Sequence, residues 1–320
     1  MGNNKKESLD KLKKLEEEKA KSFEEQKNQE VEETEEDKSN HYDVIDGFRK
    51  LEKSSMPFEG KFYPASWEFY YRSPTTKEVA NFSTIDEQNQ PAIVKAVTSL
   101  IKKCFVIVDT EKNKEVSSEQ INDGERLFFF LKIREYYLND KPISYNVINE
   151  EAGGVITVDF VADSLIFPEV KPQLLERFDG RTFTFDYKGA VDGDQIKFLI
   201  PTLKTTTRIL NYIETIHKKV QDRGQNKLKK GDFNKQLLVF APFLYEHGNE
   251  SMEILRKKFS DLQKNEAKFK ALNTIINKFN LTNTETIKYY VNGSQEETLM
   301  KFPGGWKNMF VDDTEFDNLF

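Results

Sequence analysis

Side chains able to do covalent or metal chemistry are few in this sequence: one cysteine, Cys104, and three histidines, His41, His217 and His247. A nucleophile needs a base beside it, and a metal ion needs three or four convergent donors. One thiol excludes a disulfide framework or a Cys-rich cluster, and three scattered histidines leave little room for zinc. Cys104 falls on an apolar stripe with Ile93, Val97, Leu100 and Ile101, so it reads as a core side chain rather than a nucleophile. His217 stands before Lys218-Lys219 and His247 before Gly248, where helices end and positive charge suits the dipole. Phosphate-loop, dinucleotide, nucleophile-elbow and His-Glu-x-x-His patterns are missing. The acids Asp159, Asp186 and Asp194 are what a hydrolase would have to use, although turn chemistry around Gly193 accounts for Asp192 and Asp194. The basic stretch 217–235 could touch phosphate, which is the nucleic-acid alternative. It lacks interleaved aromatics and sits in a chain of net charge −6, so a solvated connection is the favoured reading and nucleic acid an unfavoured partner. No cofactor is expected.

The elements that would position these groups follow from periodicity. Residues 1–40 carry 22 charged side chains and few large apolar ones, too little to offset an ordering cost of roughly 1–2 kcal/mol per residue, so they are expected to form a flexible arm. Trp67–Arg72 is β-prone and ends at Ser73-Pro74. The apolar stripe from Ile93 to Cys104 predicts a buried helix opening at Pro91. Ser117 and Gln120 suggest the capping box of a second helix, with Leu127, Phe130, Leu131, Arg134 and Leu138 inside, stopping before Pro142. Short strands are expected at Ile143–Val147, Val155–Phe160, Arg181–Tyr187 and Gln195–Ile200. Helices then return: one through Ile209 and Val220, one through Leu237 and Leu244, and one running from Met252 to Phe279. A hairpin of Thr286–Val291 and Glu297–Phe302 flanks Asn292-Gly293. The fold class is α+β, divided as 1–40 arm, 41–205 α+β body, 206–280 helical segment, and 281–320 hairpin and tail.

The aromatic content, 26 Phe and 12 Tyr in the whole sequence, marks the chain from Tyr42 onward as folded. A helix spreads Phe128-Phe129-Phe130 around its circumference, so two rings are expected in the core and the third against another domain or chain. Phe128, Phe129 and Tyr137, with the terminal Phe316, Leu319 and Phe320, are the candidate partner-binding residues, with ordinary intramolecular packing as the other reading. No run approaches the ~18 apolar residues of a membrane span. The opening Met1-Gly-Asn-Asn-Lys-Lys is read as carrying no apolar leader. A cytoplasmic, cofactor-free protein is expected.

One block of residues resembles a known family. Met56-Pro57-Phe58-Glu59-Gly60-Lys61-Phe62-Tyr63-Pro64 is similar to the opening Leu-Pro-Ser-Lys-Gly-x-x-Tyr-Pro of the T4-type phage baseplate hub and tail-assembly proteins. Their Arg-Pro-x-Thr-x-x-Glu-like turn is matched by Arg72-Ser-Pro-Thr-Thr-Lys-Glu78, and their Leu-x-x-Cys-Ile helix end by Leu100–Phe105. Gly124-Glu125-Arg126, Leu127–Leu131 and Ile133-Arg134 resemble the order that follows. The match is collinear over 56–165, with Pro57, Gly60, Tyr63, Pro64, Arg72, Glu78, Arg126 and Arg134 as its motif positions. Many relatives carry a Cys-x-x-Cys-Gly knuckle where this chain has Val147–Gly154 with no thiol, so the hairpin is expected to survive without metal. The physical reading of the motif is a turn that needs Gly60, and arginines 72, 126 and 134 either pairing with Glu78, Glu125 or Glu135 or standing as ordinary surface side chains. The resemblance implies a component or chaperone-like assembly factor of a contractile-tail baseplate hub. Such a protein would not be an enzyme. It would bind other tail proteins, the tape measure among them, in the virion or in the host cytoplasm during assembly.

Overall fold

The computed structural model describes residues 47–149, 154–167, 176–190, 194–222, 235–278, 286–291 and 293–311. The arm 1–40, residues 223–234 of the basic stretch, Phe279, and the terminal Phe316, Leu319 and Phe320 lie outside them. The architecture is α+β: small antiparallel sheets packed with helices.

The first part is a meander of β1 (Phe48–Leu51), β2 (Trp67–Arg72), β3 (Phe105–Asp109) and β4 (Lys114–Val116), each strand antiparallel to its neighbour. Phe69 of β2 lies opposite Leu51 on one side and Ile107 on the other, so one face carries a continuous apolar row. Helix α1 (Thr76–Phe82) begins with a full capping box, Thr75 accepting from the Glu78 N–H and Glu78 from the Thr75 N–H. Helix α2 (Gln90–Cys104) is capped by Asn89 and buries the predicted stripe Ile93, Val97, Leu100, Ile101 and Cys104. It runs without a loop into β3, a strand the sequence reading did not name.

Helix α3 begins at Arg126 and ends at Tyr137, later than expected. Ser117 caps only a 3-10 turn, Ser118–Gln120, because a second 3-10 turn, Asp123–Glu125, intervenes before the α-helix starts. The expectation for its aromatics is also corrected: Phe128, Phe129 and Phe130 are all 2% exposed or less. The helix is central rather than surface-lying. Phe129 meets Phe105 of the sheet at 5.0 Å, while Phe130 meets Phe82 at 5.3 Å and Phe310 near the C-terminus at 5.7 Å. The same chain supplies walls on several sides, so no ring is left over for a partner. Tyr137 is half-buried with its ring 5.5 Å from Phe310.

The hairpin of β5 (Ile143–Asn149) and β6 (Gly154–Phe160) follows. The next sheet is β7 (Phe178–Asp179), β8 (Thr182–Asp186) and β9 (Gln195–Leu199), in that order. Helix α4 (Leu203–Asp222) and α5 (Lys235–Phe240) lead to α6 (Met252–Lys264) and α7 (Glu266–Lys278). The single helix expected from Met252 onward is two. Asn265 takes an extended conformation, and its side chain accepts from the Lys268 N–H to start α7. Finally β10 (Thr286–Val291) pairs with β11 (Ser294–Leu299), whose start precedes the expected Glu297 because Val291 lies opposite Ser294.

Two apolar clusters result. The first holds the meander, α2, α3 and both outer hairpins, with Met309 and Phe310 folded back into it. The second holds Phe62, β8, β9 and the helices from Ile209 to Ile276. Among the described residues no helix is long and apolar enough to cross a membrane.

Candidate functional site

The chain passes between the clusters within one dipeptide: Phe62 belongs to the second and Tyr63 to the first. A left-handed turn makes this possible. Phe58, Glu59 and Gly60 have φ of 54°, 53° and 66°, a conformation costing a non-glycine residue about 1–2 kcal/mol. The cost is offset by packing of Phe58 against Phe62 at 5.1 Å and Phe167 at 5.7 Å. The ammonium of Lys53 also donates to the carbonyls of Pro64 and Ala65 at 2.6 and 2.8 Å. Pro57, Gly60 and Pro64 thus shape a joint, and Tyr63 is what the joint delivers.

Tyr63 enters a buried polar network. Its hydroxyl donates to Glu125 Oε2 at 2.5 Å and accepts from the Asn122 N–H at 3.0 Å. The Asn122 amide donates to Glu125 Oε1 at 3.3 Å and accepts from Arg181 Nη2 at 2.9 Å. Arg181 also donates to the Gln120 carbonyl and lies 5.6 Å from the Tyr63 and Trp67 ring centroids. Backbone bonds close the arrangement: the Asp123 N–H donates to the Pro201 carbonyl at 2.8 Å, and the Leu203 N–H to Ile121 at 2.9 Å. Both crossings between clusters, at 62–63 and 200–203, are therefore tied to the segment 120–125.

Glu125 is 1% exposed, and burial pushes its carboxyl up to about 7 against the opposing pull of Tyr63, Asn122 and Arg181. Burial, and then Glu125, hold the Tyr63 phenol well above its ordinary value. Burial lowers Arg181, with Tyr63 and Glu125 working the other way. The site can hold one exchangeable proton near neutrality between groups already hydrogen-bonded to one another. Its chemistry is that of a joint. Sequence reasoning singled out Tyr63 and Glu125 but missed Asn122 and Arg181, because neither has a periodic or motif signal.

The other motif residues are not gathered here. Arg72 makes a two-pronged pair with Glu78, 2.9 Å on each arm, which holds the carboxylate at about 2. Arg126 pairs with Asp123. Arg134 donates to the carbonyls of Met309 at 2.9 Å and Lys141 at 2.7 Å, anchoring the C-terminal turns. Glu135 accepts instead from Lys132 at 3.2 Å and from the Ala162 N–H. Of the acids, Asp159 is exposed on β6, whereas Asp186 and Asp194 lie at the connected end of the β8–β9 pair. Asp186 accepts from Gln195 at 2.9 Å; Asp194 binds Tyr187 and, at 3.2 Å, Lys268. The three are split between two sheets. His247 is exposed, and its N–H donates to Glu250 at 3.1 Å. No group of acids, histidines and cysteine among the described residues is arranged to hold a metal ion.

Comparison with protein-family models, with curated proteins and with solved structures gives no match.

Proposed function

We propose that this chain is a structural or assembly component of the baseplate hub of a contractile phage tail, acting by protein–protein association. The observation that carries the reading is the collinear motif block from Met56 to Leu165, taken with the roles its residues play. Gly60 and Pro64 shape the joint, Tyr63 fills it, and Arg72 and Arg134 pin a helix start and the C-terminal turns. These are the duties of residues that specify a shape, and shape is what a hub subunit contributes.

The contact surface moves away from the phenylalanines of α3, which are enclosed. Ile148 and Val155 are cross-strand partners at the end of the β5–β6 hairpin and are 83% and 67% exposed. A β-branched pair so exposed gains from burial on association, of the order of 1.5–3 kcal/mol per side chain. The partners are other tail or baseplate proteins, the tape measure among them, in the virion or in the host cytoplasm during assembly. The mechanism calls for no cofactor, no membrane and no nucleic acid.

The test is coexpression of the full chain with the tail proteins encoded beside its gene, followed by size-exclusion chromatography. The expected result is a stable complex with a hub or tape-measure protein, with recovery reduced about tenfold by Ile148→Lys with Val155→Lys. Absence of any complex, or a gene lying among unrelated cellular genes, overturns the reading.

A further inference from the structure

The sheet order β7–β8–β9 leaves β9 at an edge. Its hydrogen-bonding parity is set by the Ile200 N–H, which donates to the Arg181 carbonyl at 3.0 Å next to the Thr182–Leu199 register pair. In an antiparallel ladder such pairs alternate, so Ile196 and Phe198 turn their backbone groups to β8, while Gln195, Lys197 and Leu199 turn theirs outward. The Leu199 N–H meets the Tyr245 carbonyl at 2.9 Å. There the outer ladder stops. Among the described residues, no hydrogen bond reaches the outward N–H of Lys197 or Gln195.

Beside these two residues lies a cleft of about 410 Å³, lined by Phe243, Leu244, Leu262 and Leu272 with Lys258 and Asn265 among its polar side chains. Of the acids that line it, Glu246 shares the Lys258 ammonium with Glu250, at 2.9 and 3.2 Å, and Asp261 pairs with Lys264 at 2.8 Å. Lys197 is exposed and has no carboxylate partner among the described residues. The cleft thus offers outward backbone donors and acceptors at Gln195 and Lys197, an apolar lining and, on Lys197, an ammonium without a carboxylate partner among the described residues.

We propose that β9 binds an extended acidic segment of a partner protein by strand addition, with backbone bonds at Gln195 and Lys197 and a carboxylate paired to Lys197. Edge strands with unmet backbone groups recruit extended chains, and alternate side chains of the added strand then choose the partner. A second copy of this chain fits less well. Antiparallel pairing of β9 with itself centred on Lys197 sets like charges opposite each other, which is unfavourable. The inference needs no tail protein and stands apart from the baseplate reading.

The probe is a fluorescein-labelled peptide, Gly-Thr-Val-Glu-Val-Thr-Gly, titrated with the full-length chain by fluorescence anisotropy. Saturable binding is expected below ~1 mM, weakened about tenfold by Lys197→Glu and recovered when that variant meets the peptide carrying Lys for Glu. Circular dichroism checks that the variant is folded, and amide exchange should slow at Gln195 and Lys197 in the complex. The proposal is overturned by an absence of saturation up to ~1 mM, by equal binding to Lys197→Glu, or by protection mapped away from β9. Concentration-dependent dimerisation abolished by Lys197→Glu would assign the edge to a second copy, and would overturn it as well.

Discussion

Two buried carboxylates, one beside each apolar cluster, are driven in opposite directions. Glu125, 1% exposed at the edge of the first cluster, rises to about 7; Glu250, 8% exposed beside the second, falls to about 2. Burial raises both, so the donors decide. Glu250 accepts the N–H groups of Glu246, His247 and Asn249 at 2.6, 3.1 and 3.1 Å, and the Lys258 ammonium at 3.2 Å. Glu125 has one phenol, one amide and an arginine that does not touch it. Three fixed amides and a cation outweigh desolvation; two neutral donors do not. The second region uses its acid as the charged nail of a tight bend. The first uses its acid as a proton-bearing link in a joint.

Removing the nail should have the largest effect. Glu250→Ala leaves three backbone N–H groups short of an acceptor and is expected to cost about 3 kcal/mol at pH 7 by urea unfolding. The carboxyl's folded pKa lies below its unfolded value, so the stability it supplies is present above about 4.5 and lost as pH falls through about 2. The gap between wild type and variant should therefore narrow between pH 5 and 2, as two parallel titration series of unfolding midpoints would show. An unchanged gap would mean that the bend is held by packing, and the contrast with Glu125 would lose one side.

Glu125→Gln sharpens the other side. Here the folded pKa is raised, so the contribution of the neutral carboxyl is full below about 4.5 and disappears as pH rises through about 7. Wild type should lose about 2 kcal/mol across that window relative to the glutamine variant, which carries no titrating group at the joint. The slope is opposite in sign to that of Glu250 and occupies a different pH range. A flat difference from pH 4.5 to 7.5 would mean that Arg181 already holds Glu125 ionised, and both acids would then be ordinary anions.

What the sequence made legible divides along the same line. Local signals were readable: the α2 stripe ending at Cys104, the β-prone Trp67–Arg72, and the antiparallel pairing of β10 with β11 each follow from a periodicity or a turn preference in the sequence. Surroundings were not. Phe128-Phe129-Phe130 looked like one ring too many because the sequence does not show that α3 is walled by Phe105, Phe82 and Phe310, drawn from three distant segments. The joint was half visible. Tyr63 and Glu125 stood out in the matched motif block, but Asn122, three residues before Glu125, carries no motif signal, and Arg181 reaches the joint only through tertiary contact. Lys197 as an edge residue was invisible too, since strand order in a sheet has no local signature.

The smallest expected effects test whether the joint of the first region is tighter than the bend of the second. Gly60 and Gly248 both sit at positive φ, +66° and +78°, so alanine at either pays the left-handed strain of about 1 kcal/mol. Their surroundings differ. A Cβ on Gly60 would come within 3.0 and 3.1 Å of the Lys53 side chain, whose ammonium is fixed on the Pro64 and Ala65 carbonyls and cannot swing away freely. At Gly248 the nearest atom, Leu199 Cδ1, is at 3.5 Å, an ordinary contact. Gly60→Ala should therefore cost about 2 kcal/mol and Gly248→Ala about 1, read as the shift in urea midpoint at constant slope. Gly60→Ala should also weaken the Tyr63–Glu125 bond, since the turn sets where the phenol arrives. Its loss should then depend on pH between 4.5 and 7, whereas that of Gly248→Ala should not. Equal losses with no pH dependence would show that the Lys53 stem yields and that the left-handed turn is not rigidly coupled to the carboxyl it feeds.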